Sequence, residues 1–425
     1  MYIRHYAENV RKIRKKKNTN NIMPKQVNKK KDFSRPKISS IKEKLGLTIT
    51  QPADLVKSSA DKPMEFIQLP KAFENALKLP GIPKGYLTIA TGWSNTGKST
   101  IKNCLIASCI NNGILPVIYE TENNFDFKYA IDCGMKATPV YGDVEVEDVD
   151  TETGEITGTH IENRIIDYDG DFLYFDSKIL AEQYGNNDYS TGKQTKTKRK
   201  VAVIEDIAYS INEILDMQDN GDIQQPICFI WDSIGSIGSY KSYASKTGNN
   251  MFDAGALSVA FNTIINNRIP SSRKVSEPYT NTMFCINKIW NDSMNSMGGA
   301  ASIELKGGKT FYYGARLIFH LGGIAKSATK KLTATAKGQT YNYGIVTKIK
   351  VTKNQLPTPY NVTYEGTMCC VHNGILPEEE LDTYKKEYMS TILQHIEELQ
   401  EQSGNKENVS EDDVQFDESE TSDEV

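Results

Sequence analysis

From residue 85 onward, short apolar runs alternate with stretches of helical spacing. Residues 86–90 and 116–119 read as strands, and 100–111 and 125–133 as helices. Ile204, Ile207, Ile211 and Ile214 recur on one helical face, which predicts a helix over 203–217. Residues 227–231 and 282–286 are continuous apolar runs, the pattern of strands buried on both faces. A helix over 251–267 separates them, and strands at 317–321 and 345–351 extend the series. Such alternation predicts an α/β fold with a mainly parallel central sheet covered on both sides. There is no internal repeat.

The flanks break this pattern. Residues 46–80 carry Pro52, Pro63, Pro70 and Pro80 and read as a leader or subunit-contact segment. Between Asp143 and Glu155, seven acids and no bases surround a Thr153-Gly154 turn, which predicts an exposed β-hairpin inside an insertion at about 141–170. Residues 187–200 read as a loop. Past residue 376, Ile392, Ile396 and Leu399 predict an amphipathic helix, and an acidic tail expected to be disordered follows from Glu401.

Charge sharpens the division. The chain has 425 residues and a net charge of −4, but fifteen Lys/Arg face three Asp/Glu in residues 1–44, while three Lys face seventeen Asp/Glu in residues 377–425. The basic segment 1–45 reads as a disordered arm, either binding phosphates by counterion release or serving as a solvated tail. The acidic tail either competes with nucleic acid for a basic groove or only solvates. Mean hydropathy is −0.49 and no apolar run is long enough for a membrane helix, so no membrane partner is expected. Seven cysteines with no CxxC spacing read as reduced thiols of a cytoplasmic protein, and five scattered histidines argue against a histidine metal site.

Gly92-Trp93-Ser94-Asn95-Thr96-Gly97-Lys98-Ser99 matches GxxxxGK[ST] between a predicted strand and a predicted helix that includes Thr100. Glycines at Gly92 and Gly97 let successive N–H groups turn toward phosphate oxygens, and the helix start adds its positive end. Lys98 then reaches the β/γ-phosphates, and the Ser99 hydroxyl ligates Mg²⁺. The apolar run 227–231 ends in Asp232-Ser233, where Asp232 would hold Mg²⁺ through water. Glu120 and Glu122 both end the second strand, and spacing alone lets either position an attacking water. ATP and Mg²⁺ are the expected cofactors.

In order and content these motifs resemble the RecA-type recombinases, with the layout of the phage UvsX-like branch, over residues 79–375. The resemblance implies a RecA-like P-loop ATPase core at 81–376. It assigns the water-activating role to Glu122 and adenine contacts to Asp126 and Tyr129. It makes Phe284-Cys285-Ile286-Asn287-Lys288 the strand whose polar end senses the γ-phosphate, with Lys288 where bacterial members have Gln. Lys353 matches a lysine that enters the neighbouring subunit's ATP site, and Gln355 replaces a second one. DNA loops are implied at 238–250 and 290–306, carrying Lys241, Lys246 and Lys306. The chain leaves no room for the folded C-terminal domain of bacterial members.

The function so implied is an ATP-dependent recombinase that forms a helical homo-oligomeric filament on single-stranded DNA. It would pair that strand with double-stranded DNA, in the host cytoplasm if of phage origin, with single-strand-binding or loader proteins as possible partners. A ring-shaped translocase or helicase, or a nucleotide-gated DNA-coating scaffold with little turnover, are the alternatives.

Overall fold

A computed structural model describes residues 60–150, 153, 156–245, 250–291, 303–305, 308–323, 329–404 and 409–420. The chain divides into two units, Met1–Val56 and Lys57–Val425, of which the first, with the basic arm and the start of the leader, lies outside the described residues. The structure is mixed α/β around a large, mostly parallel central sheet.

The second unit opens with β1 (Phe66–Gln68), α1 (Lys71–Leu77), β2 (Gly81–Pro83), β3 (Leu87–Gly92), α2 (Lys98–Asn111), β4 (Leu115–Glu120) and α3 (Phe127–Asp132). A long ribbon, β5 (Thr138–Val149) with β6 (Ile156–Asp169), precedes β7 (Leu173–Asp176) and α4 (Ser177–Tyr184). The short pair β8 (Asn187–Asp188) and β9 (Lys193–Gln194) leads into α5 (Ile204–Asp219), β10 (Ile227–Ile234), α6 (Tyr240–Ser245) and α7 (Asn250–Thr263). A π-helical turn over Ile264–Arg268 and α8 (Ile269–Ser271) lead to β11 (Thr282–Asn291) and β12 (Ile303–Leu305). The chain continues through α9 (Gly308–Gly314), β13 (Ala315–Leu321), β14 (Thr329–Ala336), β15 (Gln339–Asn354), β16 (Glu365–Val371) and β17 (Gly374–Leu376). It closes with α10 (Leu381–Glu387), α11 (Met389–Gln402) and β18 (Gln415–Glu420).

Strand order in the main sheet is β17-β16-β15-β13-β3-β11-β10-β4-β7. Strands β13, β3, β11, β10, β4 and β7 pair in parallel, whereas β15, β16, β17, β14 and β18 add an antiparallel lobe. The crossovers explain why two apolar layers form. From β3 to β4 to β7 the chain steps one way, and from β10 through β11 to β13 it steps back. Residues that alternate along each strand therefore serve opposite layers. Ile118, Ile230, Phe284 and Phe319 pack with Ile101 and Leu105 of α2. Val117, Phe229, Trp231 and Met283 pack instead with Ile207 and Ile211 of α5 and Phe261 of α7. A third cluster joins Leu332, Tyr343 and Cys369 of the antiparallel lobe to Ile392 and Ile396 of α11.

In the leader, α1 buries Phe73 and Leu77 and lies in the chain between the paired strands β1 and β2. The acidic hairpin has paired positions from Thr138↔Asp169 to Val149↔Ile156. Two sequence expectations change. Residues 187–200 include the β8–β9 pair. The tail is not uniformly disordered, because β18 pairs with β14 from Thr335↔Gln415 to Lys330↔Glu420 and rests Phe416 on Tyr343, ring centroids 5.6 Å apart. Here an alternating strand beside Lys330 and Lys331 satisfies a sheet edge that would otherwise stay open.

Candidate functional site

Parallel pairing brings the motif ends to one edge of the sheet. Gly92 is in register with Lys288 on one side and Leu321 on the other. Asp232 is in register with Glu120, and Glu120 with Asp176. This is the carboxyl edge of the parallel strands, where open α/β sheets place their ligands.

The phosphate loop needs its glycines. Gly97 has φ +91°, and a Cβ there would come within 2.4 Å of Cys370 Sγ. A Cβ on Gly92 would meet the Leu321 carbonyl oxygen at 2.5 Å. Asn95 also adopts positive φ, at 56°. The turn is thus tight at both glycine positions, and the Thr96 hydroxyl donates to the Trp93 carbonyl oxygen at 2.8 Å within it. Lys98 donates to the Trp93 carbonyl oxygen and lies 3.4 Å from Thr96 Oγ1, folded over the loop it serves. Helix α2 starts at Lys98 after Gly97, with no side chain capping its first N–H groups. Those amides are the donors that a phosphate would satisfy.

A cavity of about 350 Å³ opens on this loop. Asn95, Thr96, Gly97, Lys98, Ser99 and Thr100 line it, and Tyr129, Tyr341, Tyr343 and His372 add aromatic surface. Tyr129 hydroxyl lies 2.6 Å from Thr100 Oγ1, which fixes the ring beside the loop. Asp126 behaves differently. Its carboxylate accepts from Tyr129 N at 3.0 Å, capping α3, so it orients the tyrosine and is exposed rather than a wall of the cavity. Sequence reasoning missed Tyr341, Tyr343 and His372, since nothing in the spacing of β15 and β16 announces that they fold over a loop some 250 residues earlier.

Glu120 and Asp232, on β4 and β10, are not among the residues that line this cavity. Lys102, one turn after Lys98 on α2, is 3% exposed and reaches Asp232 Oδ2 at 2.6 Å and Glu120 Oε2 at 3.2 Å. Burial alone would lower the Lys102 pKa, but the two carboxylates outweigh it and hold it above the ordinary lysine range. Burial pushes Glu120 up, with Lys102 opposing and Asp232 reinforcing. The other Glu120 oxygen accepts the Glu122 N–H at 2.9 Å. Glu120 is thus sealed between helix and strand. Glu122 is half-buried, accepts from the Ser233 hydroxyl and lies 3.4 Å from Asn124 Nδ2. Lys102 was also missed; its only sequence signal is a cation four residues after the phosphate-loop lysine, within an apolar helix face.

The remaining predicted residues fall elsewhere. Lys353 is in register with Ile318, which is in register with Ile89, three residues short of Gly92. At about 3.3 Å per residue and 4.8 Å per strand, its Cα sits roughly 14 Å from the loop. Its ammonium instead donates to the Tyr312 carbonyl and lies 3.3 Å from that of Tyr313, at the end of α9. Gln355 pairs with Arg316 at 3.4 Å. For Lys288 the backbone alone is described. Of the two loops expected to meet DNA, residues 246–249, 292–302 and 306 lie outside the described residues, with Lys246 and Lys306 among them.

Donor chemistry fits Mg²⁺ with nucleotide. Ser99 and Asp232 offer hard oxygen ligands, and among the described residues no group of three or more His, Cys, Asp or Glu could hold a metal by itself. Mg²⁺ keeps several waters and takes phosphate oxygens, so a hydroxyl and one carboxylate suffice. Neither a protein-family model nor a curated protein matches this chain.

Proposed function

We propose that this chain is an ATP-dependent DNA recombinase of the RecA type, acting as a filament on single-stranded DNA. The observation that carries the reading is the steric closure of the phosphate loop at Gly92 and Gly97, at the sheet edge where Glu122, Asp232 and Ser233 also gather. In this reading the loop amides and Lys98 hold the phosphates, and Tyr129 stacks on the base within the aromatic half of the cavity. Ser99 and Asp232 would hold Mg²⁺, which supplies charge neutralisation to the phosphate oxygens. Glu122 orients the attacking water, and its bond to Ser233 keeps the carboxylate aimed along the strand ends.

Lys353 supports the filament half of the proposal. At roughly 14 Å from its own loop, across two strands, it cannot serve that loop, whereas an adjacent subunit could use it. ATP bound between subunits would then couple nucleotide state to DNA affinity.

The experiment is ATP turnover with and without single-stranded DNA, together with electron microscopy in a slowly hydrolysed ATP analogue. DNA-stimulated hydrolysis and helical filaments are expected. Closed rings would favour a translocase, and DNA coating without turnover would favour a scaffold; either result overturns the recombinase.

A further inference from the structure

Lys102, Glu120 and Asp232 form a buried charged cluster that anchoring α2 to the sheet does not require. An apolar side chain would fill the same place, and burying three charges is costly. Glu120 and Asp232 are register partners on adjacent parallel strands, both on the α2 side, with side chains 0% and 7% exposed. One ammonium serves both, so the cluster carries a formal charge of −1. It takes Asp232 by Oδ2 and Glu120 by Oε2, while Glu120 Oε1 holds the Glu122 backbone. The Lys102 ammonium also lies 4.9 Å from the centre of the Phe125 ring.

We propose that Lys102 is a positioning residue that acts as a resident cation at the metal-side acid. It fixes the Asp232 carboxylate and keeps the site's affinity for a free divalent ion low, so that the ion enters together with the nucleotide's phosphates. This rests on the reading of Asp232 as the Mg²⁺-side acid. The physical reason is charge count in a poorly screened site. An ion arriving alone meets an ammonium already seated on its carboxylate, whereas an ion arriving with a triphosphate brings compensating negative charge.

The test is Mn²⁺ binding to nucleotide-free, full-length protein, read as the loss of the free-ion paramagnetic resonance signal. Wild type should bind with Kd on the order of 1 mM or weaker, as oxygen sites with little net negative charge do. Affinity should then follow the cluster's net charge. Lys102→Met should bind about tenfold tighter or more, Glu120→Gln more weakly, and the double variant close to wild type. Lys102→Met leaves two buried carboxylates unpaired and can fail to fold; the double variant removes one charge of each sign and should fold. The double variant compared with Glu120→Gln alone therefore removes the ammonium at constant carboxylate number, and must bind Mn²⁺ at least about tenfold tighter. Equal affinities in that pair overturn the proposal. A fluorescent ATP analogue tests the underlying reading separately. If wild type binds it with Mg²⁺ and the Mn²⁺ order fails, only the role of Lys102 falls; if wild type does not bind it, the nucleotide site itself falls.

Discussion

Glu120 and Glu122 stand two residues apart on one strand end, and Glu120 accepts the backbone N–H of Glu122 at 2.9 Å. The two carboxyl groups have different surroundings. Glu120 is 0% exposed and tied to Lys102, so it shapes the backbone that presents its neighbour. Glu122→Gln should preserve binding of a fluorescent ATP analogue and lower turnover by about 10²-fold or more, the usual scale for losing a positioned general base. Glu120→Gln should chiefly lower thermal stability, because Lys102 loses one of two buried partners. Turnover lost in Glu120→Gln and kept in Glu122→Gln would reverse the assignment.

Gly97 and Cys370 make the loop's shape a packing question. Gly97→Ala places a Cβ 2.4 Å from Cys370 Sγ at a φ of +91°, where a side chain is already strained. Analogue affinity should fall at least about tenfold while circular dichroism stays unchanged. Cys370→Ala in the same chain removes the clash but not the strain, so it should restore affinity only in part. Full affinity in Gly97→Ala alone would mean that the loop's tight turn is not needed.

Lys353 caps the end of α9 in its own chain, which gives it two separable roles. As a cation at a helix C-terminus it contributes about 0.3–1 kcal/mol to the free protein. As a residue acting in trans it would be worth a factor of roughly 10² in DNA-stimulated hydrolysis. Lys353→Ala should lose both, and mixing it with Lys98→Ala should recover part of the turnover, since one kind of interface then has an intact loop and an intact Lys353. A stability loss with an unchanged stimulated rate would leave the capping role alone.

His320 supplies a pH signature. It is 4% exposed, and Nδ1 lies 3.0 Å from the Thr91 hydroxyl on the phosphate-loop strand. Burial first, and the Lys98 charge as a further cause, hold its pKa below the ordinary histidine value. Below about pH 6.5 the unfolded chain takes up the proton before the folded one does, so stability is full above that value and falls with pH until the folded pKa is passed. His320→Gln should flatten this acid limb in denaturant melts at pH 5 and pH 7. An unchanged pH slope would show that the imidazole does not titrate there.

Strand β18 covers the edge of β14 with Glu418 3.8 Å from Lys330, and Lys337 lies 3.6 Å from Asp413. Removing residues 409–425 should take away the acidic partners of Lys330 and Lys337 and tighten single-stranded DNA binding, with a steeper fall of log K against log salt. These pairs are exposed and individually weak, so the gain should come from released cations rather than from lost stability. An identical salt slope in the truncated protein would leave the tail a structural strand.

The amino-acid order determined most strands and helices of the parallel half, though not β7 or α4. A continuous apolar run such as 227–231 has one stable use, burial on both faces, and isoleucines at helical spacing must cover it. It also determined the phosphate loop, because its chemistry lies in contiguous backbone and needs glycine locally. Whatever depended on bringing distant segments together was decided only by the tertiary structure. Glu120 is sealed by Lys102 while Glu122 stays half-buried, because α2 packs across the ends of β4 and β10. Tyr341, Tyr343 and His372 reached the cavity because β15 and β16 join the sheet by antiparallel pairing beyond β13. Such pairings are set by register and side-chain packing across the sheet, which no local window of residues contains.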